Sequence, residues 1–207
     1  MKVLLVNGSP HEKGCTYTAL NVIAETLNEN EIETEIVWLG NSAVYDCIGC
    51  GACKEKGKCV FADDAVNSIA EKAKSSDGFI FGSPVYYAHP SGRILSALDR
   101  LFMSAGQNLA FKPAACISSA RRAGTTATID AMLKHLTINQ MPVVSSTYWT
   151  MVHGSKPEDV MQDSEGLQTM RNLANNMTWI LKCIKAGSEN GITAPSNEKT
   201  QRTSFIR

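Results

Sequence analysis

The sequence has no charge of one sign to spare: 20 Lys and Arg balance 20 Asp and Glu. Nucleic-acid binders carry a basic surplus and acidic electron carriers the reverse, so neither class is favoured. No apolar run approaches the roughly 18–20 residues that a membrane helix needs, and no membrane partner is expected. Met1 to Val6 lead straight into a strand-like segment, not a cleavable leader, so the expected location is the cytoplasm. Aromatic residues are few (7%), but hydrophobic residues reach 43% and charged ones only 19%. This excludes a disordered chain, and 207 residues suffice for one domain with a full core. The four histidines, His11, His89, His135 and His153, form no metal-ligand spacing. None has an obvious acid–base partner, so each is expected to be structural or to line the rim of a site.

Cysteine is the exception. Seven are present, an odd number that argues against a disulfide framework. Cys47, Cys50, Cys53 and Cys59 fall within thirteen residues, whereas Cys15, Cys116 and Cys183 are scattered and are expected to be small core or loop residues.

Apolar patterning predicts strands at Lys2–Val6, Glu35–Leu39, Gly78–Gly82, Ala114–Ser118 and Pro142–Ser146. Helices are predicted at Thr16–Asn28, Ala62–Ser75, Ser91–Met103, Thr125–Thr137 and Glu165–Lys185, with Asp63 and Asp64 favouring one helix start. Strand then helix, repeated five times, gives an α/β fold with a parallel sheet and helices on both faces. Five strands fit a flavodoxin-like three-layer α/β/α arrangement, order 2-1-3-4-5, better than a six-stranded dinucleotide fold. The expected division is a domain over 1–186 with a cysteine-loop insertion at 41–61, followed by a polar tail over 187–207. The sequon at Asn176 falls within a predicted helix and is read as chance.

In such a sheet ligands bind beyond the carboxyl ends of the strands, where the strand order reverses. The first loop there, Asn7-Gly-Ser-Pro-His-Glu-Lys-Gly-Cys-Thr16, offers the Ser9 and Thr16 hydroxyls, Gly8 and Gly14, and a helix start near Cys15. That set suits a phosphate. It is not a P-loop, because Cys15 stands where Lys is required, and it is not G-x-G-x-x-G, so ATP and the usual dinucleotide site are disfavoured. The bland alternative is a connecting loop with chance hydroxyls. The segment resembles the Gly-Ser-Pro…Thr phosphate signature of the NAD(P)H-dependent FMN reductase group. Gly82-Ser-Pro-Val-Tyr-Tyr87 resembles that group's second flavin loop, and Asp99-Arg100 matches the helix after it. Ser118-Ser-Ala-Arg-Arg-Ala-Gly124 occupies the place of its third loop, and the similarity covers about residues 1–150.

The resemblance implies FMN at the strand tips, bound by Ser9, His11, Gly14, Cys15 and Thr16 from the first loop. Pro84, Val85, Tyr86 and Tyr87 would meet the flat ring, and Ser119, Arg121 and Gly124 its pyrimidine edge. Tyr86 and Tyr87 could equally cap the core, and only one of Arg121 and Arg122 is expected to face ligand.

Cys47-x2-Cys50-x2-Cys53-x5-Cys59, with small residues between, resembles the compact motif of the iron-sulfur flavoproteins, which implies a [4Fe–4S] cluster. The bacterial ferredoxin run differs, having three residues before its last Cys and a Pro after it, where Val60 stands here. Zinc is the main rival, although four-thiolate zinc sites more often use two separated Cys-x-x-Cys pairs; an unmetallated loop is the third reading. Lys54, Lys56 and Lys58 would lower thiolate pKa values and offset a cluster's charge, or simply keep the loop soluble.

Three functions are therefore expected in order. The first is an FMN-dependent oxidoreductase coupling FMN to a [4Fe–4S] cluster. The second is a metal-free NAD(P)H-dependent FMN or quinone reductase, and the third a non-enzymatic FMN carrier. No catalytic side chain is expected beyond those that hold the flavin. The expected partner is a small-molecule or protein redox partner. The resemblance further implies a homodimer or homotetramer, to which Met103, Met141, Trp149 and the tail could contribute.

Overall fold

The computed structural model describes residues 1–201, 203 and 205. Its order is β1 (Lys2–Asn7), α1 (Cys15–Glu29), β2 (Glu33–Trp38), α2 (Cys53–Lys56), α3 (Val66–Lys74), β3 (Gly78–Tyr86) and β4 (His89–Pro90). There follow α4 (Gly92–Ala105), a 3-10 turn at Gly106–Asn108, β5 (Ala114–Ala120), α5 (Thr125–Ile138), β6 (Met151–His153), α6 (Pro157–Val160) and α7 (Ser164–Glu189).

Five parallel strands lie in the order β2-β1-β3-β5-β6, the reversal expected of a flavodoxin-like sheet. A sixth, two-residue strand, β4, is added antiparallel to the end of β3. The uninterrupted apolar runs follow from burial on both faces. Leu4, Val6, Phe79, Phe81 and Cys116 point toward α3, α4 and α5. Val3, Leu5, Ile80 and Ile117, one residue out of phase, point toward α1 and α7. Burial pushes the Cys116 thiol up from its ordinary range.

The fifth strand requires correction. Within the predicted Pro142–Ser146 only Val143 bridges to Ala114. The chain then leaves the sheet and pairs again at Met151–His153, opposite Ser118–Ala120. Polar contacts from α7 hold the excursion out. Ser146 Oγ donates to Thr169 O (2.7 Å), Asn176 Nδ2 to Ser145 O (2.8 Å) and Asn172 Nδ2 to Thr147 Oγ1 (3.0 Å).

Other expectations change as well. Helix α3 starts at Val66, because Asp64 accepts the Val66 N–H (3.0 Å) and the residues before it belong to the cysteine loop. Met141, expected on a contact surface, is buried in the core, whereas Met103 and Trp149 are exposed, as is Cys183 on α7. Helix α7, capped by Asp163 through Gly166 N (2.9 Å), runs to Glu189, past the expected start of the tail. From the tail, Asn197 Nδ2 reaches Gln140 Oε1 (2.7 Å); residues 202, 204, 206 and 207 lie outside the described residues. Among the described residues no helix is long and apolar enough to cross a membrane.

Candidate functional site

Three loops meet at the carboxyl ends of β1, β3 and β5. In the first, Ser9 N donates to Asn7 Oδ1 (3.0 Å), Asn7 Nδ2 to Glu12 O (2.9 Å) and Trp38 Nε1 to Ser9 O (2.8 Å). The loop is thus held from within and from β2. Its glycine is required: a Cβ on Gly8 would stand 2.7 Å from Ile94 Cβ and 2.9 Å from Gly82 O. Ser91 Oγ donates to Gly8 O (2.8 Å), fixing the loop to the start of α4.

The second loop is a hairpin. Ser83 and Pro84 continue β3 beside Ser118 and Ser119, and Val85 and Tyr86 then pair with Pro90 and His89. Both residues of its turn, Tyr87 (φ 51) and Ala88 (φ 58), are left-handed, as a two-residue turn of this hand demands. The third loop packs beneath it. Gly124 has φ 92, and a Cβ there would lie 2.6 Å from Ala88 Cα.

The loops enclose an open pocket of about 450 Å³, within the range of small-molecule sites. Ser9, His11, Gly14, Cys15, Thr16, Pro84, Val85, Tyr86, Ser119 and Arg121 all line it. Tyr87 stands fully exposed at the hairpin tip, and Gly124 supports the hairpin from outside. Thr16 Oγ1 and Ser119 Oγ lie 2.8 Å apart, both buried, so one hydroxyl proton of the pair remains free. Ser9 Oγ accepts the His11 N–H (3.1 Å) and keeps its own proton. The first N–H groups of α1 have no intrahelical acceptor. Burial raises the Cys15 pKa, although its own backbone N–H opposes the effect, and its thiol donates to Gly154 O (3.6 Å). The chemistry is that of an anion cradle of hydroxyl and backbone N–H donors, with Arg121 on its lining, beside a wall that suits a flat ring. Gly154, Ser155, Lys156 and Pro157 complete the lining and were not foreseen. They follow β6, whose position the sequence pattern misplaced.

The cysteine loop forms a second cavity, of about 160 Å³, on the α3–α4 side. Cys47, Cys50, Cys53 and Cys59 all line it, with Ile48, Val60, Phe61 and Met103 among the apolar walls. Gly49 and Gly51 take positive φ between the cysteines, so the backbone can coil tightly. Tyr45 and Phe61 stack at 4.9 Å where the segment enters and leaves.

Arg100, matched by resemblance only as part of the helix after the second loop, lies beneath this cavity, a role the sequence did not suggest. Its side chain, on α4, is fully buried and paired with Asp64. Nη1 also donates to Tyr45 O (3.3 Å), Nη2 to Phe61 O (3.0 Å) and Asp64 Oδ1 (3.2 Å), and Nε to Cys59 Sγ (3.2 Å). Burial opposes its charge, but Asp64 and Cys59 outweigh that and raise its pKa. Asn67 grips the same cysteine through its backbone, accepting from Cys59 N (2.9 Å) and donating to Cys59 O (3.0 Å). Among the described residues no three His, Cys, Asp or Glu side chains converge on a single-ion position. Ser91, just before α4, holds the first loop through Gly8 O, and Arg100, nine positions further on and about 14 Å away at the helical rise, lines the cysteine cavity.

Two histidines have partners that the sequence did not suggest. His135 Nε2 meets Asp99 Oδ1 (2.8 Å), and His153 Nδ1 lies 3.7 Å from Asp163 Oδ2.

The strand order and the site at its reversal define a flavodoxin-like α/β protein. The model of the NADPH-dependent FMN reductase family matches residues 1–156, and the chain belongs to that family of flavoprotein oxidoreductases. An iron-sulfur flavoprotein of Methanocaldococcus jannaschii is 35% identical over 193 residues, covering 89% of this chain and 100% of the relative. One from Methanosarcina thermophila is 28% identical, covering 89% and 97%. Among solved structures, RosB with a bound 8-demethyl-8-formylriboflavin-5'-phosphate intermediate shares the fold at TM-score 0.67 and 16% identity, covering 100% of this chain and 94% of that one. An apo NADH:FMN oxidoreductase does so at 0.61 and 15%, covering 86% and 89%.

Proposed function

We propose that this chain is an FMN-dependent oxidoreductase in which FMN works with a [4Fe–4S] cluster held by Cys47, Cys50, Cys53 and Cys59. The observation that carries the reading is the presence in one fold of two cavities, one an anion cradle at the strand tips, the other ringed by four thiols. When bound, FMN supplies exchange of electrons in pairs or singly and the cluster single-electron exchange.

The residues present fit both groups. The free protons of Ser9 and the Thr16–Ser119 pair, with the first turn of α1, would hold the phosphate, and Gly14 lets the backbone turn beneath it. His11, Cys15 and Lys156 would border it. Pro84, Val85 and Tyr86 would flank the ring, with Tyr87 at its outer edge, and Ser119 and Arg121 would meet the pyrimidine side. Gly124 would hold the hairpin against it. Four thiols that ring a cavity without converging on one point suit a polynuclear group better than a tetrahedral zinc, whose sulfurs all lie about 2.3 Å from one ion. The redox partner would be a small molecule or a protein, and a homodimer or homotetramer would be the working assembly.

Anaerobic purification followed by flavin, iron and sulfide analysis tests this. A yellow-brown protein with a full complement of iron and sulfide is expected, and Cys50→Ser should abolish the broad absorbance while leaving FMN bound. Flavin without iron after reconstitution would overturn the cluster. A second reading, reduction of FMN by NAD(P)H with no metal, is favoured by the description of the family. Stopped-flow mixing with NADPH decides it: flavin reduction no faster than that of free FMN would count against it.

Thr16→Val removes a charge-assisted donor and strips Ser119 of its buried partner. FMN affinity should fall about ten- to a hundredfold, measured by quenching of flavin fluorescence. An unchanged affinity would place the phosphate elsewhere.

A further inference from the structure

We propose that Arg100 positions Cys59 and, by donating its Nε–H to that sulfur, makes the group held in the cysteine cavity easier to reduce. The inference rests on the reading that the four sulfurs hold an iron-sulfur cluster.

A guanidinium has five N–H donors, and here each has an acceptor. Two meet the Asp64 carboxylate, two meet the carbonyls of Tyr45 and Phe61, and Nε–H remains for Cys59 Sγ at 3.2 Å. The first four contacts leave the planar fork no freedom to turn, so the fifth is fixed in direction. Asn67 fixes the other partner by holding Cys59 N and O. Sulfur and donor are therefore both immobilised before anything binds.

The four cysteines are not equivalent. Among the described residues, only Cys59 receives a side-chain N–H, whereas the Cys53 thiol is itself a donor, to Met103 O (3.7 Å). The charge of Arg100 is matched by Asp64, so its influence on the cavity comes mainly through the directed bond. A hydrogen bond to a ligating sulfur stabilises the more negative, reduced state more than the oxidised one. Outer-shell donors of this kind tune a metal centre through its ligand. Lys54 also lines the cavity but is exposed, and water screens it.

The test uses holoprotein reconstituted anaerobically. Arg100→Lys keeps a cation against Asp64 but lacks the fork that reaches Cys59. Its cluster potential, from an equilibrium titration followed by EPR of the reduced state, should shift downward beyond the error of the titration. A purely structural role would lower iron content or stability and leave the potential of the remaining clusters unmoved. The wild-type protein supplies a second readout. With 15N-labelled arginine, pulsed EPR of the reduced cluster should show coupling to a guanidinium nitrogen; among the described residues Arg100 is the only arginine lining the cavity. Shifted potential with coupling supports the proposal. An unmoved potential, or absent coupling, overturns it while leaving the cluster reading intact. If Arg100→Lys does not fold, the coupling decides alone. Wild-type protein that takes up no iron defeats the cluster reading itself, and this proposal with it.

Discussion

Asp64→Ala is expected to destabilise the metal-free chain by about 3–5 kcal/mol, the usual penalty for stranding one member of a buried ion pair. Its partner Arg100 has 0% side-chain exposure and Asp64 only 7%, so water cannot replace the carboxylate without opening the loop. The neutral acceptors that remain, Tyr45 O, Phe61 O and the Cys59 sulfur, do not compensate a full charge. The change also frees Val66 N at the start of α3, adding about 1 kcal/mol as for a lost cap. Urea unfolding should show a lower midpoint with an unchanged slope. Adding Arg100→Leu should recover much of the loss, because an apolar side chain needs no partner there. A loss below about 1 kcal/mol would mean that solvent reaches the guanidinium in the native state.

Gly124→Ala should have the second-largest effect, and it should fall on the flavin. At φ 92 any side chain is strained by about 1–2 kcal/mol. The new Cβ would also stand 2.6 Å from Ala88 Cα and 2.8 Å from Val85 Cγ1. Relief requires the 85–90 hairpin to move, at a further cost of about 1–3 kcal/mol. That hairpin forms one wall of the strand-tip pocket, so FMN affinity should weaken about thirtyfold or more. Flavin titration checks this beside a thermal melt of the flavin-free protein. A lowered melting temperature with unchanged affinity would show that the hairpin is not part of the flavin wall.

The sheet was legible because Val3 to Val6 and Phe79 to Phe81 are apolar on both faces and too short, between turn residues, for buried helices. The first part of the anion cradle was legible because Ser9, Gly14 and Thr16 fall close together, at the turn from β1 into α1. What escaped depends on partners distant in sequence. The last strand is displaced by contacts with Asn172 and Asn176 of α7, more than twenty residues downstream, which also hid Lys156. The hairpin turn uses Tyr87 and Ala88 rather than the Asn-Gly that would have announced it. Arg100 and Asp99 are neighbours on a helix where charge ordinarily signals exposure. One instead enters the core toward Asp64, and the other reaches His135 on the next helix. Spacing revealed that four cysteines share a purpose but not that their loop has a floor.

Because the contacts to Tyr45, Phe61 and Asp64 converge on a single side chain, the stretch between them behaves as a cassette. It is plugged into the α/β platform at one socket, away from the strand tips. A lineage could lengthen, shorten or replace that stretch without disturbing the flavin cradle, provided the socket kept its arginine and the incoming segment brought two carbonyls and a carboxylate to meet it.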